Sequence, residues 1–318
     1  MYQKITLTSS VSKSQPQALI IALFQEQDKL PRAYQVLDKE LGGCLGQAMK
    51  RDEFTVASGK VTCLYPTQGA DRLYLIGLGS RDTFKYDTLR TGLGKVLQLV
   101  KEAAVTRVHT ELAPVFNGSV DHAKLGFTIG ESFTLANFTF DDYKGAVNAS
   151  DKARKLSLTV ELPKEQLKSA KDGATVGDAT NFARTLAATP PNVANPDFIV
   201  KQCRSMSRKV GLKCTVIDSK KAKSLGMGGL VAVGQGGSTP PALICMEHKP
   251  AKTKANAKPI MLVGKAVTFD TGGYSLKPGG GMGMKYDKCG GMAVIGAMQA
   301  IAALKLNVHV VGLVPTAE

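Results

Sequence analysis

Histidine is scarce in this chain. There are four in 318 residues, at positions 109, 122, 248 and 309, in no HExxH or other ligand spacing, which argues against a zinc site built on imidazoles. The six cysteines form no CxxC pair and no close framework; they suit packed thiols in a reducing compartment, Cys289 included. No apolar run approaches the ~18 residues of a membrane span, and the opening MYQKITLTSSVSKSQ lacks the apolar stretch of a signal peptide. A soluble, cytoplasmic protein with no membrane partner is expected. Also missing are a helix-turn-helix signature, a zinc knuckle, basic runs interleaved with aromatics, and any complete dinucleotide or Walker loop. The short Gly77-Leu78-Gly79-Ser80 reads as a strand exit.

Acid is the minority charge: 41 Lys and Arg stand against 26 Asp and Glu, for a net +15. The excess gathers between Lys201 and Lys258, where twelve basic residues face only Asp218 and Glu247. Such a balance fits an anionic partner, nucleic acid first among them, or a solvated basic face.

With 318 residues and 43% hydrophobic content, the chain can build about two domains with cores of their own. In the first half, strand-like segments (18–24, 72–78, 105–110, 155–162) alternate with helix-like ones (33–50, 83–104, 120–135), the pattern of an α/β domain over residues 1–163. Residues 163–188 carry Leu167, Ala170, Ala174 and Phe182 at helical spacing and stop at Thr189-Pro190-Pro191, so they read as a connecting helix. Residues 164–318 form a second α/β unit. Its expected elements are a helix at 196–210, a strand at 214–217, a glycine turn at 226–229, strands at 230–233 and 242–246, and an exposed loop at 249–258. Strand material at 260–263 and 266–269, a helix at 292–304 and a strand at 308–314 complete it, and this last strand-helix-strand order predicts a parallel crossover. His309, inside an apparent strand, is expected to be a hydrogen-bonded core or edge residue.

The densest chemistry lies at 263–291, VGKAVTFDTGGYSLKPGGGMGMKYDKCGG. Lys265, Asp270, Lys277 and Asp287 stand there on backbone kept bare by Gly272, Gly273, Gly279, Gly280 and Gly281. Asp270 follows a β-favouring run and Asp287 precedes an apolar helix, so both carboxylates bracket one strand-to-helix connection, where open α/β sheets bind ligands. Carboxylates are hard ligands for Mg, Mn or Zn; a lysine joins them only as the neutral amine. Alternatively both lysines stay charged, one against the carboxylates and the other aimed at a developing oxyanion. A glycine turn with surface ion pairs is the plain structural alternative.

This string resembles the catalytic core of the leucyl aminopeptidase family, the two-metal cytosol aminopeptidases of peptidase family M17, whose members read close to VGKGxTFDSGGxSLKP and then MDEMKYDMGG. Asn181 to Arg184 with Thr189 to Asn192, then Met227 to Gly237 with Pro240 to Ile244, and then Val310 to Glu318 are similar to the same family in the same order. The resemblance implies an N-terminal three-layer α/β domain followed by the first half of an α/β catalytic domain with a mixed, largely parallel sheet. It implies that Lys265, Asp270 and Asp287 are metal ligands, Asp270 bridging, and that Lys277 polarises the substrate carbonyl. Two divalent ions, Mn or Zn, would activate a hydroxide that releases N-terminal amino acids from peptides, in a homo-oligomer that is commonly hexameric. The chain departs from the pattern twice. The family's MDEM is here Met282-Gly283-Met284, and the Asp-Ala-Glu-Gly-Arg motif that supplies two more carboxylates and an arginine does not occur. Glu318 matches a position ahead of that motif and does not replace it. The expectation is a truncated aminopeptidase, inactive alone and binding at most one metal weakly. The competing expectation is a basic scaffold or nucleic-acid-binding protein that keeps the fold without the catalysis.

Overall fold

The computed structural model describes residues 4–10, 15–26, 29–51, 54–116, 118–143, 145, 157–253, 257–278 and 281–318. Gly279 and Gly280, counted above among the bare backbone of the motif, lie outside the described residues, as do 254–256 of the expected exposed loop. The described chain is mixed α/β, and it divides into two compact units, Met1–Gly177 and Asp178–Glu318.

In chain order the first unit contains β1 (Lys4–Thr8), β2 (Ala18–Leu23), α1 (Arg32–Glu40), α2 (Cys44–Met49), β3 (Val61–Leu64), β4 (Arg72–Gly77), α3 (Tyr86–Glu102), β5 (Arg107–Thr110), α4 (His122–Ala136) and β6 (Ser157–Glu161). The strands form one sheet in the order β1-β6-β5-β2-β4-β3, parallel except where β3 runs against β4. β2 reads ALIIAL and is buried at every position, as a central parallel strand covered on both faces must be. The single helix expected over 33–50 is in fact α1 and α2, broken where Gly42 and Gly43 take φ of +74° and +76°, a region costly to any residue with a Cβ. β1 and β3 were not anticipated; both are edge strands of four or five residues without a fully buried face.

α5 (Lys164–Ala188) is the expected connecting helix, unbroken for 25 residues. The sequence-based boundary at 163 lies at its start, and the division between the compact units falls within it, after Gly177.

The second unit continues with α6 (Pro196–Val210), β7 (Lys213–Ile217), α7 (Ser219–Ser224), α8 (Gly228–Gly234), β8 (Ala242–His248), β9 (Ile260–Val263), β10 (Ala266–Val267), a 3₁₀ segment (Gly281–Lys288), α9 (Cys289–Ala303) and β11 (Val310–Ala317). α6 begins where Asn195 accepts a hydrogen bond from the Phe198 N–H with Pro196 in the first turn, and it ends at Gly211 with φ +75°. These are the start and stop signals of a helix in their usual places. β11 is the hub of the mixed sheet: β9 and β10 pair with it in parallel, β8 antiparallel, and β7 closes the far side of β8. The parallel crossover around α9 is present. The strand expected at 230–233 is not; those residues belong to helix α8. Leu230 to Val233 satisfy their backbone within the helix, and β8, the strand that follows, pairs with β7 and β11. Helices α6 and α9 bury Ile199, Cys203, Met206, Met292, Ile295 and Met298 against Ile244, Met246, Val310 and Val314 of the sheet. None of the described helices is long and apolar enough to cross a membrane.

Candidate metal centre

Lys265 and Asp287 are 22 residues apart, and close backbone contact brings them together. The Gly291 N–H donates to the Lys265 carbonyl. A Cβ on Gly264 would lie 2.3 Å from the Gly290 carbonyl oxygen, and one on Gly291 would lie 2.6 Å from the Ala266 Cβ. Only glycines let the first turn of α9 press this closely on the segment joining β9 to β10, and that contact sets the residues preceding α9 beside Lys265. β10 meanwhile pairs with the end of β11, with Thr268 donating to the Ala317 carbonyl at 2.9 Å, so Asp270 emerges just beyond the sheet's carboxyl end. The loop that follows folds back on itself: Gly272 N–H donates to Asp270 Oδ1 at 3.1 Å, and Lys277 N–H to the Thr271 carbonyl at 3.0 Å.

The result is a closed square of charge. Lys265 Nζ lies 2.8 Å from Asp270 Oδ2 and 2.9 Å from Asp287 Oδ1. Lys277 Nζ lies 3.1 Å from Asp270 Oδ2 and 3.0 Å from Asp287 Oδ2. The structure thus brings together all four residues singled out in the motif. Both lysines hold Asp270 down at about 2 and hold Asp287 below the usual carboxylate range by the same hydrogen bonds. The carboxylates in turn raise both lysines. The aspartates are only 27% and 24% exposed and the lysines 49% and 40%, so the group is within reach of a ligand from solvent. Its charges are balanced by side chains alone, apart from the single Gly272 N–H.

Chemically, a divalent ion can take the place of the ammonium groups between the carboxylates. Two aspartates pointing at one volume offer hard oxygens, and Lys265 touches both of them, so its nitrogen occupies a donor position if it gives up its proton. The donor set therefore fits a divalent cation. Among the described residues, no three His, Cys, Asp or Glu side chains cluster as a metal-ligand group. His309 is not part of the centre: its Nε2 lies 3.0 Å from Glu247 Oε1 in the sheet.

One neighbouring residue escaped the sequence reading. Lys288 is fully buried and donates to the carbonyls of Thr189 at 3.1 Å and Lys285 at 2.6 Å, while burial pulls its ammonium down to about 8. It fastens the 3₁₀ segment that ends beside Asp287 to the turn after α5. The available signal was a charge at the very start of an apolar helix, where solvent was not on offer.

Comparison with known proteins adds to this geometry. The model for the N-terminal domain of the cytosol aminopeptidase family matches residues 20–146, and that for its catalytic domain matches residues 181–318. A probable cytosol aminopeptidase of Nitrosospira multiformis is 33% identical over 99% of this chain and 62% of its own length. One from Dechloromonas aromatica is 30% identical over 98% of this chain and 63% of its own. The chain thus spans less than two thirds of the relatives it matches. A mutant of tomato leucine aminopeptidase has the same fold, with a TM-score of 0.79 at 23% identity over 99% of this chain and 62% of that one. The bottromycin maturation enzyme BotP in complex with Mn gives 0.75 at 24% identity, over 95% of this chain and 59% of its own.

Proposed function

The chain belongs to the cytosol aminopeptidase family, and on that premise we propose that it serves a metal-dependent aminopeptidase that releases N-terminal amino acids from peptides. The observation that carries the reading is the convergence of Lys265 and Lys277 on Asp270 and Asp287. Asp270, Asp287 and the neutral amine of Lys265 would hold the cation, and Asp270 would be shared with a second ion. Two divalent ions, manganese or zinc, would supply Lewis acidity and water activation when bound. Lys277 keeps its proton. It donates to the oxyanion that develops on the scissile carbonyl, where an oriented cation stabilises the transition state more than the ground state.

By this reading the 318 residues alone bind at most one ion weakly and do not turn over, since two carboxylates are too few for two ions. Peptides are the substrates, the setting is cytoplasmic, and assembly follows the family in being homo-oligomeric and hexameric. The family match and the assembled charge square favour this reading over a scaffold without catalysis.

The test is thermal unfolding of the chain with and without manganese, beside an N-terminal peptide-release assay. We expect millimolar manganese to raise the melting temperature of the wild type, the D270N and D287N variants to lose that shift, and no release of amino acid. Shifts unchanged by either substitution would remove the metal centre, and normal manganese-dependent turnover would overturn the inactivity of the chain alone.

A further inference from the structure

The surface of the second unit carries a feature that the metal centre does not use. α6 turns Ile199, Cys203 and Met206 into the core and presents Lys201, Arg204, Arg208 and Lys209 to solvent on its other side. Lys213 follows at the start of β7 and Lys220, Lys221 and Lys223 on α7, all exposed. Positions 201, 204 and 208 form one stripe of the helix, and Lys201 to Arg208 span about 10 Å at the helical rise of ~1.5 Å per residue.

These charges stand close together along one stretch of chain that has few acids. On α3, Arg90 pairs with Asp87 and with Glu131, and on α5 Lys168 pairs with Asp172. Among the described residues, Lys201, Arg204, Arg208, Lys209, Lys220, Lys221 and Lys223 enter no ion pair. The nearby acids are occupied or displaced: Asp218 caps α7 by accepting from the Lys221 N–H at 2.8 Å, and Glu247 meets His309 at 3.0 Å and Lys213 at 3.8 Å. Asp197, exposed in the first turn of α6, lies four residues before Lys201 on the same stripe, and among the described residues it pairs with none of these cations. A lysine on an edge strand guards against pairing with another sheet, which accounts for Lys213 but not for the outer face of α6.

We propose that this face binds the phosphate backbone of a nucleic-acid duplex without reading its sequence. Three observations select that partner. A duplex carries one charge per ~1.7 Å of axis, so about six phosphates pass the 10 Å stripe. No Phe, Tyr or Trp occurs between Lys201 and Lys258, and the one ring there, His248, has its Nε2 at the Leu306 carbonyl at 2.8 Å, so unpaired bases find no stacking platform of the kind single strands use. The apolar side of α6 is spent on the core, and between Pro196 and Leu225 the one large apolar side chain exposed is Leu225, too little to anchor in a lipid surface. The surface is independent of peptide hydrolysis, so each can fail without the other.

The test is fluorescence anisotropy of a labelled 30-base-pair DNA duplex titrated with the 318-residue chain at 50 and 200 mM salt. About four phosphate contacts should make binding roughly a hundredfold weaker at the higher salt. R204E/R208E should lose more than tenfold at 50 mM salt and flatten the salt dependence, and R204Q/R208Q should do the same to a smaller degree. K39E/K101E changes the net charge of the chain as much as R204E/R208E does, on exposed residues elsewhere, and should lose less than twofold. Equal losses in R204E/R208E and K39E/K101E, binding indifferent to salt, or tighter binding to a single strand or to phosphatidylserine vesicles would each overturn the proposal.

Discussion

The carboxyl ends of the two parallel arrangements use their polar residues in opposite ways. In the first unit, several polar groups at that edge are tied to backbone. Tyr34 donates to the Glu111 carbonyl and Arg81 to the Val115 carbonyl at 3.2 Å while lying over the Phe24 ring at 4.2 Å; the Glu26 carboxylate accepts from the Arg81 N–H at 3.1 Å. In the second, Lys265, Asp270, Lys277 and Asp287 are tied almost wholly to one another. A side chain bonded to backbone cannot leave without orphaning a peptide group. Side chains bonded only to each other can exchange a partner for a ligand at little structural cost. The comparison therefore separates polar residues that hold a fold from polar residues available for chemistry.

Ile20→Ala, at a fully buried position of β2, should cost about 2–5 kcal/mol in denaturant unfolding while leaving manganese binding per folded molecule unchanged. Gly291→Val should cost about 1–3 kcal/mol through overpacking against Ala266, Val314 and the Lys265 carbonyl. Unlike the first variant, it should also weaken manganese binding, read by calorimetry, because it parts Lys265 from Asp287. Asn195→Ala removes the cap of α6 and should cost about 1 kcal/mol with no change in metal response.

The smallest effect is on pH. Asp270 is depressed to about 2 and Asp287 is lowered too, so their contribution to stability is present above the unfolded carboxylate range and is lost as pH falls through the folded values. Exposed pairs are worth about 0–1 kcal/mol each. Acid unfolding of D270N/D287N should therefore differ from wild type only slightly, and a large difference would mean that the square holds the fold after all.

How much of this was legible depended on whether the signal was local. α6 was readable to its ends because Asn195, Pro196 and Gly211 each act within one turn, and β2 because a run of six apolar residues has no exposed alternative. The α1–α2 break was written in Gly42-Gly43 and passed over for the helical pattern on either side. The misassigned 230–233 could not be settled locally, since a run of four apolar residues fits strand and helix alike by periodicity. In the centre, residue types and their flanking elements were visible. The contact of Gly264 with Gly290 and of Gly291 with Ala266 that gathers them was not, because close approach is a property of two segments at once. Lys288 was missed for the same reason: its partner, the Thr189 carbonyl, is 99 residues away.

The most direct measurement is anomalous diffraction at the manganese edge from crystals of the chain soaked in the ion. A peak within bonding distance of both Asp270 and Asp287, with Lys277 still paired to a carboxylate, is the predicted result. A fully soaked crystal with no peak there and all four lysine–aspartate contacts intact would contradict it.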